Sequence, residues 1–144
     1  MNLNVEKILI IGLGMIGSSI ALASKSKGIK VYGFDKSNNS IKEALEKNII
    51  DSKVESILDI NSKDFVKKVD LIIVAVPPKQ TLDVLNDLKD IWNTDVTITD
   101  TSSVKNHIKL NGASNIILSH PIAGSDQSGI SAANGDLFKN KKNA

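Results

Sequence analysis

Three glycines at positions 12, 14 and 17, placed directly after a short apolar run, limit this chain to few folds. The run, residues 8–11, is rich in Ile and too short for a helix, so it predicts a strand buried on both faces. The spacing Gly-x-Gly-x-x-Gly between a strand and a helix is typical of dinucleotide-binding sites. In such a site Gly12 permits a tight turn, Gly14 lets the backbone approach a pyrophosphate, and Gly17 lets the helix pack closely on the strand.

The glycine pattern alone is weak evidence for a dinucleotide-binding site, but the residues that follow it support this interpretation. An apolar stripe predicts a helix that ends at Gly28, and residues 29–34 alternate as a second strand. That strand ends at Asp35, roughly 20 residues beyond the glycines, where a carboxylate would meet the hydroxyls of an adenosine ribose. Because a carboxylate repels a 2′-phosphate, Asp35 favours NAD, although Lys36 beside it leaves NADP open. The alternative role for Asp35 is a helix cap before Ser37.

The composition excludes several classes of function. The chain has 144 residues, 18 Lys and Arg against 16 Asp and Glu, and no basic patch interleaved with aromatics, so nucleic acid is not an expected partner. It has no cysteine, and its two histidines lie 13 positions apart without a carboxylate at ligand spacing, so no metal site is expected. The longest apolar run, residues 71–78, is too short to cross a bilayer. We therefore expect one cytoplasmic domain that does not bind membranes.

The rest of the chain predicts alternating strands and helices. Helices are expected over 38–48, 65–69, 78–92 and 104–110, and strands near 55–58 and over 70–76, 96–99 and 115–119. This alternation is typical of right-handed βαβ units. It predicts an α/β fold of the Rossmann type over residues 1–138, a doubly wound, mostly parallel sheet with helices on both faces. Residues 139–144 are expected to form a polar tail.

The informative polar motifs all follow predicted strands. Ligands bind outside the carboxyl ends of the strands in such sheets, so one crevice is expected to gather these motifs. The candidate cofactor-binding residues are Gly12, Leu13, Gly14, Met15, Ile16, Gly17, Asp35, Val76 and Pro77.

Two further motifs follow the last two predicted strands. His120 precedes a proline at the end of the final strand, where both a structural role and that of a catalytic base or electrophile are open. Of Ser102 and Ser103, one can cap the following helix while the other offers its hydroxyl to the crevice. Lys105 is either solvated or directed at an anionic ligand, and His107 is interpreted as a surface residue.

Several motifs, in this order, resemble the N-terminal domain of the prephenate and arogenate dehydrogenases of tyrosine biosynthesis. They are residues 12–19, 70–78, 100–105 and 120–129, followed by Ala132-Ala133 and Leu137-Phe138. The glycine segment alone would fit many dehydrogenases, whereas Ser-Val-Lys at 103–105 and His-Pro-Ile-Ala-Gly at 120–124 are together specific. One mild departure is Asp126, where the family commonly has Glu.

The resemblance implies an NAD(P)-dependent oxidative decarboxylation of prephenate to 4-hydroxyphenylpyruvate. His120 would take the proton of the substrate's ring hydroxyl as hydride leaves for the nicotinamide, and Ser103 would help hold that hydroxyl and the histidine. Family members carry a second, helical domain that supplies the dimer interface and basic residues for the substrate carboxylates. This chain stops after that match, so either it is part of a longer protein or the helical domain lies on another chain. The resemblance implies a homodimer for the full-length form. For the 144 residues alone it implies cofactor binding, whereas their catalysis depends on the second domain.

Three alternatives stay open at this point. The substrate is prephenate or arogenate, since that choice depends on contacts expected largely from the second domain. A β-hydroxyacid or imine reductase has a similar first domain, but its function does not require the His-Pro-Ile-Ala-Gly turn at this position. A regulatory module that binds NAD without chemistry would tolerate replacement of His120 and Ser103.

Overall fold

The apolar runs of the sequence form a single sheet. The computed structural model describes residues 5–62, 64–102 and 113–118, which contain six strands. They are β1 (Lys7–Ile11), β2 (Lys30–Phe34), β3 (Ser52–Lys53), β4 (Leu71–Val74), β5 (Thr97–Asp100) and β6 (Ile116–Leu118). Their order is β3-β2-β1-β4-β5-β6, and every neighbouring pair is parallel. This is the strand order of dinucleotide-binding sheets, with the direction of winding changing between β1 and β4.

Helices cover both faces of the sheet. The described α-helices are α1 (Met15–Ser26), α2 (Asn38–Glu46), α3 (Ile57–Ile60) and α4 (Pro78–Asp87), and two 3₁₀ helices span Phe65–Lys67 and Lys89–Ile91. Within β1, Ile8 and Ile10 belong to the hydrophobic cluster beneath α1 and α2. Leu9 and Ile11 belong to the cluster beneath α3 and α4 on the opposite face. The predicted Rossmann-type sheet, with a first strand buried on both faces, is thereby confirmed.

The first two helices end where the sequence predicts. Gly28 and Asn48 follow α1 and α2 with positive φ angles of 82° and 57°. The N–H of Gly28 donates to the Lys25 carbonyl at 3.0 Å, and that of Asn48 donates to the Leu45 carbonyl at 3.1 Å. Each left-handed residue thus satisfies a carbonyl of the last helical turn, as in a Schellman cap.

The third strand is not where the sequence analysis expects it. The expected strand at 55–58 is wrong: β3 is the polar pair Ser52–Lys53, and Ile57–Ile60 is a helical turn. Ser56 begins that turn by accepting the N–H of Asp59 at 3.3 Å. A two-residue strand at the sheet edge has no apolar period to reveal it, whereas the apolar residues nearby belong to a helical turn.

Two predicted helices differ in extent. The helix predicted over 78–92 ends at Asp87 and is followed by the 3₁₀ helix Lys89–Ile91, and Trp92 donates its indole N–H back to the Leu85 carbonyl at 3.0 Å. The helix predicted over 65–69 is a 3₁₀ helix. The helix predicted over 104–110 and the tail lie outside the described residues. Within the described ranges, no helix is long and apolar enough to cross a membrane.

A polar cluster at the amino-terminal edge of the sheet predicts a pH dependence of stability. Asp51 accepts the N–H of Val31 at 2.8 Å and pairs with Lys25 at 3.2 Å. Burial raises the pKa of the Asp51 carboxyl, but the hydrogen bond from Val31 and the contact and charge of Lys25 outweigh it and leave the pKa below its ordinary value of 3.8. The pKa of the Asp51 carboxyl is lower in the folded chain than in the unfolded chain. The ionised carboxylate therefore stabilises the fold fully above the ordinary pKa, and this stabilisation is lost as the pH falls through the folded-state pKa.

Asp51→Asn should therefore lower the free energy of unfolding at neutral pH by about 1 kcal/mol, the group being partly solvent-screened. The difference from the wild-type chain should shrink as the pH falls below 3.8 and disappear below the lower pKa of Asp51 in the folded chain. Urea denaturation at a series of pH values measures both quantities. An equal loss at neutral and acid pH would show that the ionised carboxylate is not the stabilising group.

Candidate functional site

A cleft of about 1150 Å³ lies at the carboxyl ends of the strands. Ile11, Phe34 and Lys53, the last residues of β1, β2 and β3, line it together with Ala75 and Thr101, which follow β4 and β5. The cleft therefore spans the point where the winding of the sheet changes direction, which is where open α/β sheets bind ligands.

The glycine loop forms one wall of this cleft. Gly12 has φ +102°, and a Cβ there would lie 2.6 Å from the Ala75 carbonyl oxygen. A Cβ on Gly17 would overlap the Gly12 carbonyl, so this glycine allows α1 to pack on the loop. A Cβ on Gly14 would meet nothing within 4 Å. The tight turn at Gly12 and the close packing at Gly17 are confirmed, and Gly14 leaves the loop surface open toward the cleft.

The amino terminus of α1 opens into the same cleft. Gly14 is its N-cap residue without a capping side chain, and the first turn carries no acidic residue. The first helical hydrogen bond runs from the Ser18 N–H to the Gly14 carbonyl at 3.0 Å, so the preceding N–H groups have no acceptor within the helix. Met15 and Ile16 of this turn line the cleft. Such a helix terminus favours an anion such as a pyrophosphate.

Asp35 lies across the loop from α1, partly buried in the cleft wall. Its Oδ2 accepts the N–H of Leu13 and its Oδ1 accepts the N–H of Ser37, each at 2.8 Å. The helix-cap alternative for Asp35 is wrong, because Ser37 is the N-cap of α2 and its hydroxyl accepts the Ser40 N–H at 3.2 Å. A carboxylate has about four acceptor positions, so the Asp35 carboxylate keeps about two for ligand hydroxyls.

Residues 20–144 match the family model described as the nucleotide-binding domain of prephenate dehydrogenase. The chain belongs to this family. The matched residues begin after the glycines, so the assignment does not depend on the glycine pattern. It excludes the alternative that this chain is the first domain of a β-hydroxyacid or imine reductase.

Relatives of known name and structure agree with the family. A prephenate dehydrogenase of Lactococcus lactis subsp. cremoris is 40% identical over 94% of this chain and 39% of the relative. A crystal structure of prephenate dehydrogenase from A. aeolicus, in complex with hydroxyphenyl propionate and NAD⁺, has a TM-score of 0.84 at 30% identity, over 99% of this chain and 51% of that one. An arogenate dehydrogenase from Synechocystis has a TM-score of 0.81 at 27% identity, over 94% and 48%. The chain thus spans about two-fifths to one-half of these relatives.

Most of the cofactor residues predicted from the sequence gather in the cleft of this family member. Seven of them line it: Gly12, Gly14, Met15, Ile16, Asp35, Val76 and Pro77. The two others do not. The Leu13 side chain is 1% exposed within the core, and Gly17 lies where α1 meets the turn.

The predicted catalytic residues Ser103 and His120 lie outside the described residues. The described residues that precede Ser103 are buried, since Asp100, Thr101 and Ser102 are all less than a tenth exposed. Thr101 and Ser102 line the cleft, and the Ser102 N–H donates to Asp100 Oδ2 at 3.1 Å. The carboxyl end of β5 therefore contributes a serine hydroxyl position to the crevice.

Sequence reasoning missed much of the outer cleft wall. The missed lining residues include Lys42 on α2, Lys53 on β3, Ile57 on α3, and Gln80, Asp83, Val84 and Asp87 on α4. The α4 residues follow helical spacing, so a search for one helix face adjoining the predicted strand end could have found them. Ile57 carries no such signal, because the sequence predicts a strand over residues 55–58.

Two lysines of this outer wall form ion pairs with acids near them in the sequence. Lys42 and Lys53 pair with acids of their own segments, at 4.0 Å to Glu46 and 3.3 Å to Glu55. No group of three His, Cys, Asp or Glu side chains that could hold a metal ion occurs among residues 5–62, 64–102 and 113–118.

Proposed function

We propose that this chain is the cofactor-binding domain of a prephenate dehydrogenase, which uses NAD to convert prephenate to 4-hydroxyphenylpyruvate in tyrosine biosynthesis. The observation that supports the proposal is that one cleft of this family member brings together an anion-binding helix terminus and a carboxylate. The open glycine loop and the amino terminus of α1 lie there beside the partly engaged carboxylate of Asp35. An anion site next to a hydroxyl acceptor suits the pyrophosphate and adenosine ribose of a dinucleotide.

The shape of the cleft fits the same ligand. The surface at Gly14 is open, so backbone N–H groups of the first turn of α1 would hold the pyrophosphate. Apolar side chains of Phe34, Val76 and Val84 line the cleft nearby and would pack on a flat base. The bound nicotinamide supplies a hydride acceptor. The chain's own residues bind and orient the dinucleotide around it.

The proton chemistry is assigned to two residues of the motifs that follow β5 and β6 in sequence and resemble those of the family. His120 comes two residues after the end of β6, and Ser103 three residues after the end of β5. A neutral imidazole near pH 7 can accept the proton of the ring hydroxyl of prephenate while hydride leaves the carbon that bears this hydroxyl. The carbon–carboxylate bond then breaks, its electron pair makes the ring aromatic, and the ring oxygen takes the proton back from the imidazolium, giving 4-hydroxyphenylpyruvate and carbon dioxide. Ser103 is proposed to hold the hydroxyl and the imidazole.

The preference for NAD over NADP is assigned to Asp35. Asp35→Ser should weaken NAD binding by about tenfold, because a hydrogen bond to a charged acceptor is lost. Binding of NADP should weaken less or improve, because the negative charge that repels its 2′-phosphate is removed. Calorimetric titration with both dinucleotides gives the ratio of affinities. An unchanged ratio would mean that Asp35 does not select the cofactor.

Arogenate is the second candidate substrate, supported by the similarity to the Synechocystis arogenate dehydrogenase. The protein encoded by the complete gene should be assayed with NAD and either substrate, following the absorbance of reduced nicotinamide. The higher kcat/KM identifies the substrate. A protein that binds NAD but reduces it with neither substrate would instead be the regulatory module. Homodimerisation of that complete protein stays a prediction, which its mass in solution would test.

A further inference from the structure

The backbone of Leu13, between the first two glycines, is held from both sides. Its N–H donates to Asp35 Oδ2 at 2.8 Å, and its carbonyl accepts the hydroxyl of Ser18 at 3.0 Å. Ser18 is fully buried on α1 and does not line the cleft. Two side chains from different elements therefore fix one peptide segment at the centre of the glycine loop. We call these two hydrogen bonds the Leu13 clamp.

The clamp adds backbone hydrogen bonds to a loop that the buried side chain of Leu13 anchors in the core. Glycines on both sides of Leu13 give the free loop many backbone conformations, and ordering them upon binding would reduce affinity. The neighbouring bond from the Gly12 N–H to the Phe34 carbonyl, at 2.8 Å, fixes the loop only before Leu13. A loop held in its binding conformation before the ligand arrives avoids that loss of affinity.

We propose that Asp35 and Ser18 are positioning residues that hold the glycine loop ready for pyrophosphate, so that Asp35 acts on cofactor affinity independently of the ribose hydroxyls. This inference rests on the proposed function. It separates two roles of one carboxylate. Lone pairs directed at the cleft would bind the ribose, and the Oδ2 contact with the Leu13 N–H orders the loop.

A dinucleotide without the ribose contact separates the two roles. Asp35→Ala should weaken binding of the 2′,3′-dideoxyadenosine analogue of NAD by roughly tenfold, although this ligand lacks both ribose hydroxyls that Asp35 would bind. Its effect on NAD itself should be larger. Isothermal titration calorimetry on both ligands gives the comparison. Equal affinity of wild-type and variant chains for the analogue would overturn the inference and leave the ribose as the only role of Asp35.

Ser18→Ala tests the other half of the clamp without touching any cleft residue. It should weaken binding of NAD and of the dideoxy analogue by the same factor. Ligand-observed NMR should show unchanged binding of adenosine, which has no pyrophosphate. Ser26→Ala is the matched control, since it also removes a serine hydroxyl that donates to a carbonyl of α1, at 2.6 Å, but at the far end of the helix. Loss of adenosine binding in Ser18→Ala, or equal effects of the two serine variants on NAD, would overturn the inference.

Amide exchange provides a readout without any cofactor. In the ligand-free chain, Asp35→Ala should speed hydrogen exchange at the Leu13 N–H, whereas Asp51→Ala, which removes a similar carboxylate–backbone bond outside the cleft, should not. Unchanged exchange at Leu13 in Asp35→Ala overturns the inference alone. Failure of the wild-type chain to bind NAD overturns the proposed function, so the two failures are distinguishable.

Discussion

Replacing His120 with Asn in the protein encoded by the complete gene should lower kcat for prephenate oxidation by roughly 10²- to 10⁴-fold, the usual contribution of a general base. Asn keeps hydrogen-bonding capacity at this position but cannot accept the hydroxyl proton near neutral pH. Because the cleft proposed to bind NAD is lined by earlier segments of the chain, the affinity for NAD should change by about twofold at most.

Steady-state kinetics and calorimetry on the same preparations measure the two effects. His107→Asn is the matched control, since it replaces the chain's other histidine, and it should leave kcat unchanged. Retention of wild-type kcat by His120→Asn would remove the base from the proposed mechanism. A loss confined to NAD affinity would instead assign the histidine to cofactor binding.

Gly17→Ala should destabilise the chain by about 3 kcal/mol or more and abolish measurable NAD binding. The added Cβ would overlap the Gly12 carbonyl and lie 3.2 Å from the Ile10 side chain, so α1 must move off the loop and the strand. That movement displaces the helix terminus proposed to bind the pyrophosphate. Urea denaturation and calorimetry report the two losses separately.

Two other glycines provide controls with opposite expectations. Gly14→Ala should leave stability nearly unchanged, because its Cβ meets nothing within 4 Å, yet it should weaken NAD binding by covering the loop surface. Gly28→Ala should lower stability by about 1 kcal/mol, since φ is +82° there, and leave NAD affinity unchanged. Wild-type stability in Gly17→Ala, or wild-type affinity in Gly14→Ala, would contradict the assigned roles of the loop.

The two central strands of the sheet were predictable because they are buried and apolar. Residues 8–11 and 71–74 read as continuous hydrophobic runs, which is the pattern of parallel strands covered on both faces. The short polar strand β3 carries no such pattern, and only its pairing with Tyr32 and Gly33 defines it. Strand pairing over a long sequence separation leaves no local trace when the strand has two residues.

The site was predictable where local geometry dictates residue type. Position 12 requires glycine, because its φ angle is positive and the Ala75 carbonyl lies where a Cβ would be. Asp35 follows the glycines at the sequence separation typical of dinucleotide-binding folds. The hydrogen bond from the Leu13 N–H to Asp35 was not predictable, because it joins residues 22 positions apart. The bond from the Ser18 hydroxyl to the Leu13 carbonyl was not predictable either, because nothing in the sequence distinguishes Ser18 from the other serines of α1. The same holds for the Asn93–Asn115 pair, whose 2.6 Å hydrogen bond joins segments 22 residues apart.

The most direct test of the central claim is calorimetric titration of the 144-residue chain with NAD. Saturable one-to-one binding, weakened in Gly14→Ala but not in Gly28→Ala, is the predicted result and would place the dinucleotide on the glycine loop. Absence of binding at millimolar NAD, in a sample whose circular dichroism shows folded α/β structure, would contradict the assignment of this cleft as the cofactor site.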